Sequence, residues 1–340
     1  MSADIIQARR EKTADLLNQV REAFLEELGE ERDRVLGTRT TVYVTGSCGR
    51  GDMGAASDLD PYVVSLGGRM SSGRSADFEN SVDSALKTAI ARVGLPELDA
   101  GGNYARLVSA ESLTEHLGAK EDDNSDALTR RMLLLLESKP LINPAAYGEL
   151  MTKVIDAYWK NEDQHPNDYL PIVLVNDIVR YWRILLLNHE SNLLKKSRKQ
   201  ILSSEETMAL RRYSSYKLRV PRCLSCFSAL AYLLALTPTD RAHVRRDDIV
   251  HMADMTPIQR LEHLRANSIA PAETLDALRR LYVRYLQATD GGKTVLTDKL
   301  MADSDVVAEV SRDGRDFTRN MFDLIQKLGG GRTLHRAIVV

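Results

Sequence analysis

Only three cysteines occur in the 340 residues. A disulfide framework needs more, so the chain reads as a protein of a reducing compartment, and the cytoplasm is its expected location. No run approaches the roughly 20 uncharged apolar residues of a membrane-spanning helix, so no membrane partner is expected. The opening MSADIIQARREK lacks the apolar core of a secretory signal. An excess of one charge is missing too: 46 Lys and Arg face 48 Asp and Glu, for a formal net charge of -2. That excludes a wholly basic nucleic-acid coat but leaves room for a local basic groove. Aromatics are sparse at 6%, yet hydrophobic residues reach 43%, too many for a disordered chain. The seven histidines are scattered and suggest no metal cluster. The length suits two domains, or one domain with a large appendage.

What is present is a short region of strands and helices inside a mostly helical chain. Leu17, Val20, Phe24 and Leu28 recur at helical spacing within residues 3–36, and Gly37 offers a C-cap. Thr38 to Val44 (TRTTVYV) is rich in β-branched residues and predicts a strand. A glycine-rich turn spans Gly46 to Gly54, and Leu59 to Leu66 is a second extended run. Gly67 to Ser75 reads as a loop. Phe78, Val82, Leu86, Ile90 and Val93 mark a helix, and residues 95–109 carry a weaker signal for a third strand. From about residue 124 helices dominate, the first capped by Asn124 or Ser125. A long helix is expected from Tyr169 to about Lys195, and others over roughly 204–235, 257–265, 272–288 and 303–328. The expected architecture is α+β. A small mixed-sheet domain with an N-terminal helix covers residues 1–140, and a helical domain that binds substrate or nucleotide covers 141–340.

Chemistry concentrates in Tyr43-Val-Thr-Gly46-Ser47-Cys48-Gly49-Arg50-Gly51-Asp52, followed by Ser57-Asp58-Leu59-Asp60. A Gly-Ser turn after a strand offers backbone N–H groups and a hydroxyl to a triphosphate. It is not a Walker loop, because no Gly-Lys-Ser/Thr follows. Residues i and i+2 of a strand share a face, so Asp58 and Asp60 are expected to project together and share hard cations. Mg²⁺ favours a few carboxylates plus phosphate oxygens, and a pair of ions can stabilise both the attacking and the leaving oxygens of an in-line displacement. Arg50 is expected to add charge to the phosphates. The bland alternative is a surface turn with two solvated aspartates. Cys48 lies inside the turn, but no base stands near it to support a catalytic role.

This segment resembles the signature of the DNA polymerase beta-like nucleotidyltransferase superfamily: hydrophobic-Gly-Ser, a spacer, then Asp-hydrophobic-Asp. The form with Gly49, Arg50 and Gly51 is similar to that of protein uridylyltransferases and related uncharacterised bacterial nucleotidyltransferases. The resemblance implies an enzyme that moves a nucleoside monophosphate from an NTP to a hydroxyl acceptor and releases pyrophosphate. The acceptor would be a protein, an RNA end or a nucleotide. Mg²⁺ or Mn²⁺ would be held by Asp58 and Asp60, with Gly46 and Ser47 cradling phosphates. Pro61 departs from the pattern, which usually has an aliphatic strand residue there. A third carboxylate, expected on the next strand as general base, would be Asp99 or Glu97, with Asp99 the better match through Gly101, Gly102 and Arg106. Thr129-Arg130 and Leu133 to Glu137-Ser138 are similar to a helix that follows the catalytic domain in those relatives. The segments from Asn176 to Arg183 and from Tyr216 to Arg222 also look like parts of them.

Asn176, Arg180 and Arg183 fall at i, i+4 and i+7, a polar stripe beside an expected apolar stripe of Val175, Val179, Trp182 and Leu186. The polar stripe would hold nucleotide phosphate or base; the alternative is a surface pair of Arg180 with Asp177. Lys217, Arg219 and Arg222 form a second basic group, read as a triphosphate or acceptor contact or as a solvated face. The basic run 195–199 reads more readily as solvated charge than as an RNA contact. Cys223 and Cys226 read as core residues, since zinc would need further ligands nearby. Two other classes of function stay open. One is a nucleotide-binding regulator without turnover, and the other is a helical interaction module, either of them part of a toxin or defence system.

Overall fold

The computed structural model describes residues 4–67, 72–98, 106–198, 203–239 and 242–339. The chain divides into two compact units, Met1–Ala157 and Tyr158–Val340. In the first, helix α1 (Ile5–Leu28) starts where the Asp4 side chain accepts the Ile6 N–H, and it ends at Gly29, whose φ of 49° no ordinary residue adopts easily. The helix thus stops before the expected Gly37; a single turn of 3₁₀-helix and the short α2 (Arg32–Val35) fill the gap. Strand β1 (Thr40–Thr45) leads into α3 (Gly46–Arg50), then β2 (Asp60–Ser65), α4 (Ser72–Val93) and β3 (Leu107–Ser109). The first four residues after Ser71 in the expected loop are therefore helical, while 68–71 lie outside the described residues. Helices α5 (Lys120–Asn124) and α6 (Ala127–Glu137), strand β4 (Lys139–Ile142) and helix α7 (Pro144–Tyr158) complete the unit.

The sheet is mixed, in the order β3-β2-β1-β4. β1 is antiparallel to β2 and β4, and β2 is parallel to β3. Val42, Val44, Leu59, Val63 and Leu141 join Val20, Phe24, Val82, Leu86 and Ile90 from α1 and α4 in one buried cluster. Period-2 alternation on the strands thus meets the period-3.6 stripes of two helices on one face of the sheet. The expected domain boundary after residue 140 falls inside β4, which pairs with β1, so the first unit extends beyond it. The expected N-cap of the apolar helix also moves: Asn124 ends α5, and Asp126 at φ 54° precedes α6 without a capping side chain.

The second unit contains helices α8 (Ile172–Arg198), α9 (Ser204–Lys217), α10 (Cys223–Leu236), α11 (Arg246–Asp254), α12 (Pro257–Ala266), α13 (Ala272–Ala288), α14 (Gly292–Ala302), α15 (Ser304–Gly329) and α16 (Thr333–Val339). A π-helical turn, Leu218–Arg222, joins α9 to α10 and takes up Pro221. Ser204–Leu236 is long and apolar enough by composition to cross a membrane, unlike the sequence expectation. Its apolar stretch is mostly buried within the protein, and Leu224, Cys226, Ala229, Leu230 and Leu233 are almost wholly so. It serves as a core helix of its unit.

Candidate functional site

At the end of β1 the chain turns into α3 through Gly46, whose φ is +65°. A Cβ on Gly46 would lie 2.7 Å from Asp60 Oδ2, so only glycine lets that carboxylate come so close to the turn. The pairing of Thr45 with Asp60 sets this approach. The two halves of the motif, ten or more residues apart in sequence, thus share one end of the β1–β2 pair. Ser47 follows Gly46, half-buried.

Asp58 and Asp60 do not both lie in a strand, as the sequence suggested. β2 begins at Asp60, and Asp58 belongs to the loop before it. Between them Leu59 is buried at 1% exposure, while Asp58 is exposed and Asp60 half-buried. Core burial of Leu59 therefore turns both flanking acids away from the core. Pro61 is accommodated because β3 pairs with β2 only from Val63 onward, so no ladder bond is asked of it on that side.

The rest of the turn is occupied with structure. A Cβ on Gly49 would sit 1.9 Å from the Glu137 carbonyl oxygen, so α3 rests directly on the C-terminal end of α6. Arg50 Nε and Nη2 donate to the Asp52 carboxylate at 3.0 and 3.3 Å, and Nη1 donates to Glu137 Oε2 at 3.0 Å. Arg50 is 7% exposed. Its charge is matched by two buried carboxylates, so it ties α3 to α6. No local pattern marks this partner, 87 residues away. Arg9 Nη1 donates to the Asp52 carbonyl, and the Met53 N–H donates to Thr13 Oγ1, which anchors the turn to α1. Cys48 is buried. Burial pushes its thiol well above the usual range, and the nearby Asp60 and Asp58 charges push it further.

Sequence reasoning missed the aromatic wall beside Asp60. Tyr62, two residues on and on the same side of β2, stacks on Tyr43 with ring centroids 5.6 Å apart. Tyr147 packs edge-on against Tyr43 at 6.0 Å. The Arg130 guanidinium lies 5.8 Å from the Tyr62 ring centre, within cation–π range. Arg130 Nη1 is buried and has no hydrogen-bond partner among the described residues. The i+2 position of Tyr62 was the available signal.

Among the described residues, β3 carries no carboxylate. Glu97 is exposed in the loop after α4, not on a strand, and Asp99 lies outside the described residues. β3 reads Leu-Val-Ser, and Glu111 lies beyond its far end, away from Asp60. Among the described residues, no group of three or more His, Cys, Asp or Glu side chains could hold a metal. Two acids still fit the donor set of Mg²⁺, which binds through one or two carboxylates plus substrate phosphates and water.

The remaining expected residues belong to the second unit. On α8 the buried face is Leu174, Val175, Ile178 and Tyr181, one position off the expected stripe, and Leu186 is exposed at 39%. Asp177 causes the shift. It is buried, accepting from Tyr158 OH at 2.7 Å and from Arg180 Nη1 at 2.8 Å. Arg180 is thus paired as in the surface alternative, while Asn176 and Arg183 are exposed. Lys217 is exposed and lies 5.8 Å from the Tyr213 ring centre. Cys223 and Cys226 are core residues, and burial pushes the Cys223 thiol up to about 12. No protein-family model matches the chain, and no curated protein matches it significantly.

Proposed function

We propose that the first unit is a metal-dependent nucleotidyltransferase that moves a nucleoside monophosphate from an NTP to a hydroxyl acceptor. The observation that carries this reading is the approach of Asp60 to Gly46, close enough to exclude a Cβ, with Asp58 two residues before it. A turn and an acid pair that merely decorated the surface would need no such contact. In this reading Ser47 and the N–H groups of the turn bind the outgoing phosphates. Asp58 and Asp60 would hold Mg²⁺ or Mn²⁺ against the phosphate being attacked. When bound, the ion polarises the phosphoryl oxygen and lowers the pKa of the attacking hydroxyl. Arg130, held over Tyr62, supplies a cation on the same side of β2 as Asp60, and the Tyr62 ring offers a surface for a base. The bond between the α- and β-phosphates breaks, and pyrophosphate leaves as the acceptor oxygen takes the nucleotidyl group and gives up its proton to solvent.

Pro61, which departs from the usual aliphatic residue directly after Asp60, favours a second reading, a regulator that binds nucleotide without turning it over. Each NTP should be incubated with the protein and Mg²⁺, with EDTA as control, and pyrophosphate release followed. Metal-dependent release with one NTP supports the transferase. Saturable NTP binding with no release across protein, RNA and nucleotide acceptors supports the regulator and overturns the transferase.

A further inference from the structure

The second unit contains a cavity of about 240 Å³ between α8, α9, the π-turn and α15. Its walls carry more positive than negative charge: Arg211, Arg212 and Arg219 line it against one acid, Glu190, with His189, Ser215 and Ser311. Arg211 is matched by an acid, Glu190 at 3.7 Å. Arg212 and Arg219 have no ion-pair partner among the described residues. Ser215 Oγ and His189 Nε2 lie 3.3 Å apart and join hydroxyl and imidazole in one polar wall. Burial, the leading cause, together with Arg211 and Arg219 lowers the imidazole pKa against the opposing pull of Glu190.

The position of Arg219 is built in. It sits on the π-turn, a register fault of the kind that recurs at functional sites. Facing it on α15 is Gly314, where a Cβ would come 3.2 Å from Arg219 Cδ. Glycine inside a helix is less stable than alanine, and here a close approach accounts for it. The missing side chain seats the arginine stem along α15. Two unmatched guanidiniums beside hydroxyls and an imidazole are the donor set for a phosphate group. The volume lies below the roughly 300–1,000 Å³ of drug-sized ligand pockets, which suits one or two phosphates better than a whole nucleotide.

We infer that this cavity binds a phosphate-bearing small ligand through Arg212, Arg219, Ser215 and Ser311, independently of the acidic site in the first unit. The inference does not rest on the transferase reading. Inorganic pyrophosphate is the probe, titrated calorimetrically into the full chain with EDTA present so that no metal bridges it to Asp58 and Asp60. Arms with a nucleoside diphosphate and with a single-stranded oligonucleotide distinguish the source of the phosphates. Saturable pyrophosphate binding is expected, weakened at least tenfold by Arg212→Gln with Arg219→Gln and unchanged by Asp58→Asn with Asp60→Asn. A nucleoside diphosphate binding more tightly than pyrophosphate identifies a nucleotide as the source, and equal binding identifies the phosphate pair alone. If the arginine pair fails to fold, Arg212→Gln and Ser311→Glu singly should each give the same loss, the latter by adding a carboxylate to the wall. Three results overturn the proposal: no binding at millimolar pyrophosphate, binding insensitive to the arginine and Ser311 variants, or binding seen only with the oligonucleotide.

Discussion

Arg50 separates two accounts of the glycine-rich turn. As a phosphate ligand its loss would weaken NTP binding and leave stability alone. As the centre of a buried Asp52–Arg50–Glu137 group its loss takes the shared cation from between two buried carboxylates. Breaking such a group costs about 3–5 kcal/mol, so Arg50→Gln should lower the urea midpoint sharply; an unchanged midpoint with weakened NTP binding would restore the phosphate role. Gly46 carries a different prediction. Gly46→Ala forces a side chain into the left-handed region and against Asp60, which should cost on the order of 1–3 kcal/mol and displace the carboxylate. Denaturant unfolding and NTP turnover should fall together. The cysteines test burial directly. With the thiols of Cys48 and Cys223 pushed up and all three cysteines buried, native protein at pH 8 should resist iodoacetamide and react fully once unfolded. Rapid native alkylation at Cys48, read by mass spectrometry, would mean that the turn is open.

At the scale of elements, the contact of α3 with α6 holds the turn in place. Gly49→Ala drives a Cβ into the Glu137 backbone, which cannot swing aside as a side chain can, and should cost about 3 kcal/mol, the upper end of the overpacking range. The same contact explains what the sequence made legible and what it hid. Strands β1 and β2 and helices α4, α9, α10, α13 and α15 were readable because their apolar periodicity is local. The Gly-Ser turn and the acid pair were readable because each lies within a few consecutive residues. Arg50's partner on α6 was not, because pairing across a fold leaves no local pattern. β4 was missed because Lys-Pro-Leu-Ile is short and contains proline, and it is a strand only through its pairing with β1. The buried face of α8 slipped by one position because Asp177, polar by type, is taken inside by Tyr158 and Arg180. The cationic cavity was half visible: Arg219 was noted within a basic group, but its partners come from α8 and α15.

The whole molecule divides into two compact units. The division predicts that residues 158–340 expressed alone form a helical, cooperatively melting protein by circular dichroism, whereas a fragment cut at 140/141 loses β4 from its sheet and should not fold. A net charge of -2 conceals an uneven layout, with acids at the end of the β1–β2 pair in one unit and three arginines around a cavity in the other. The central claim concerns that acid pair. Its most direct test is Mg²⁺-dependent pyrophosphate release by the full chain beside the Asp58→Asn, Asp60→Asn double variant, both checked for unchanged thermal unfolding. The account predicts release that EDTA abolishes and that the double variant loses by at least a hundredfold. Equal release by the folded double variant would contradict it.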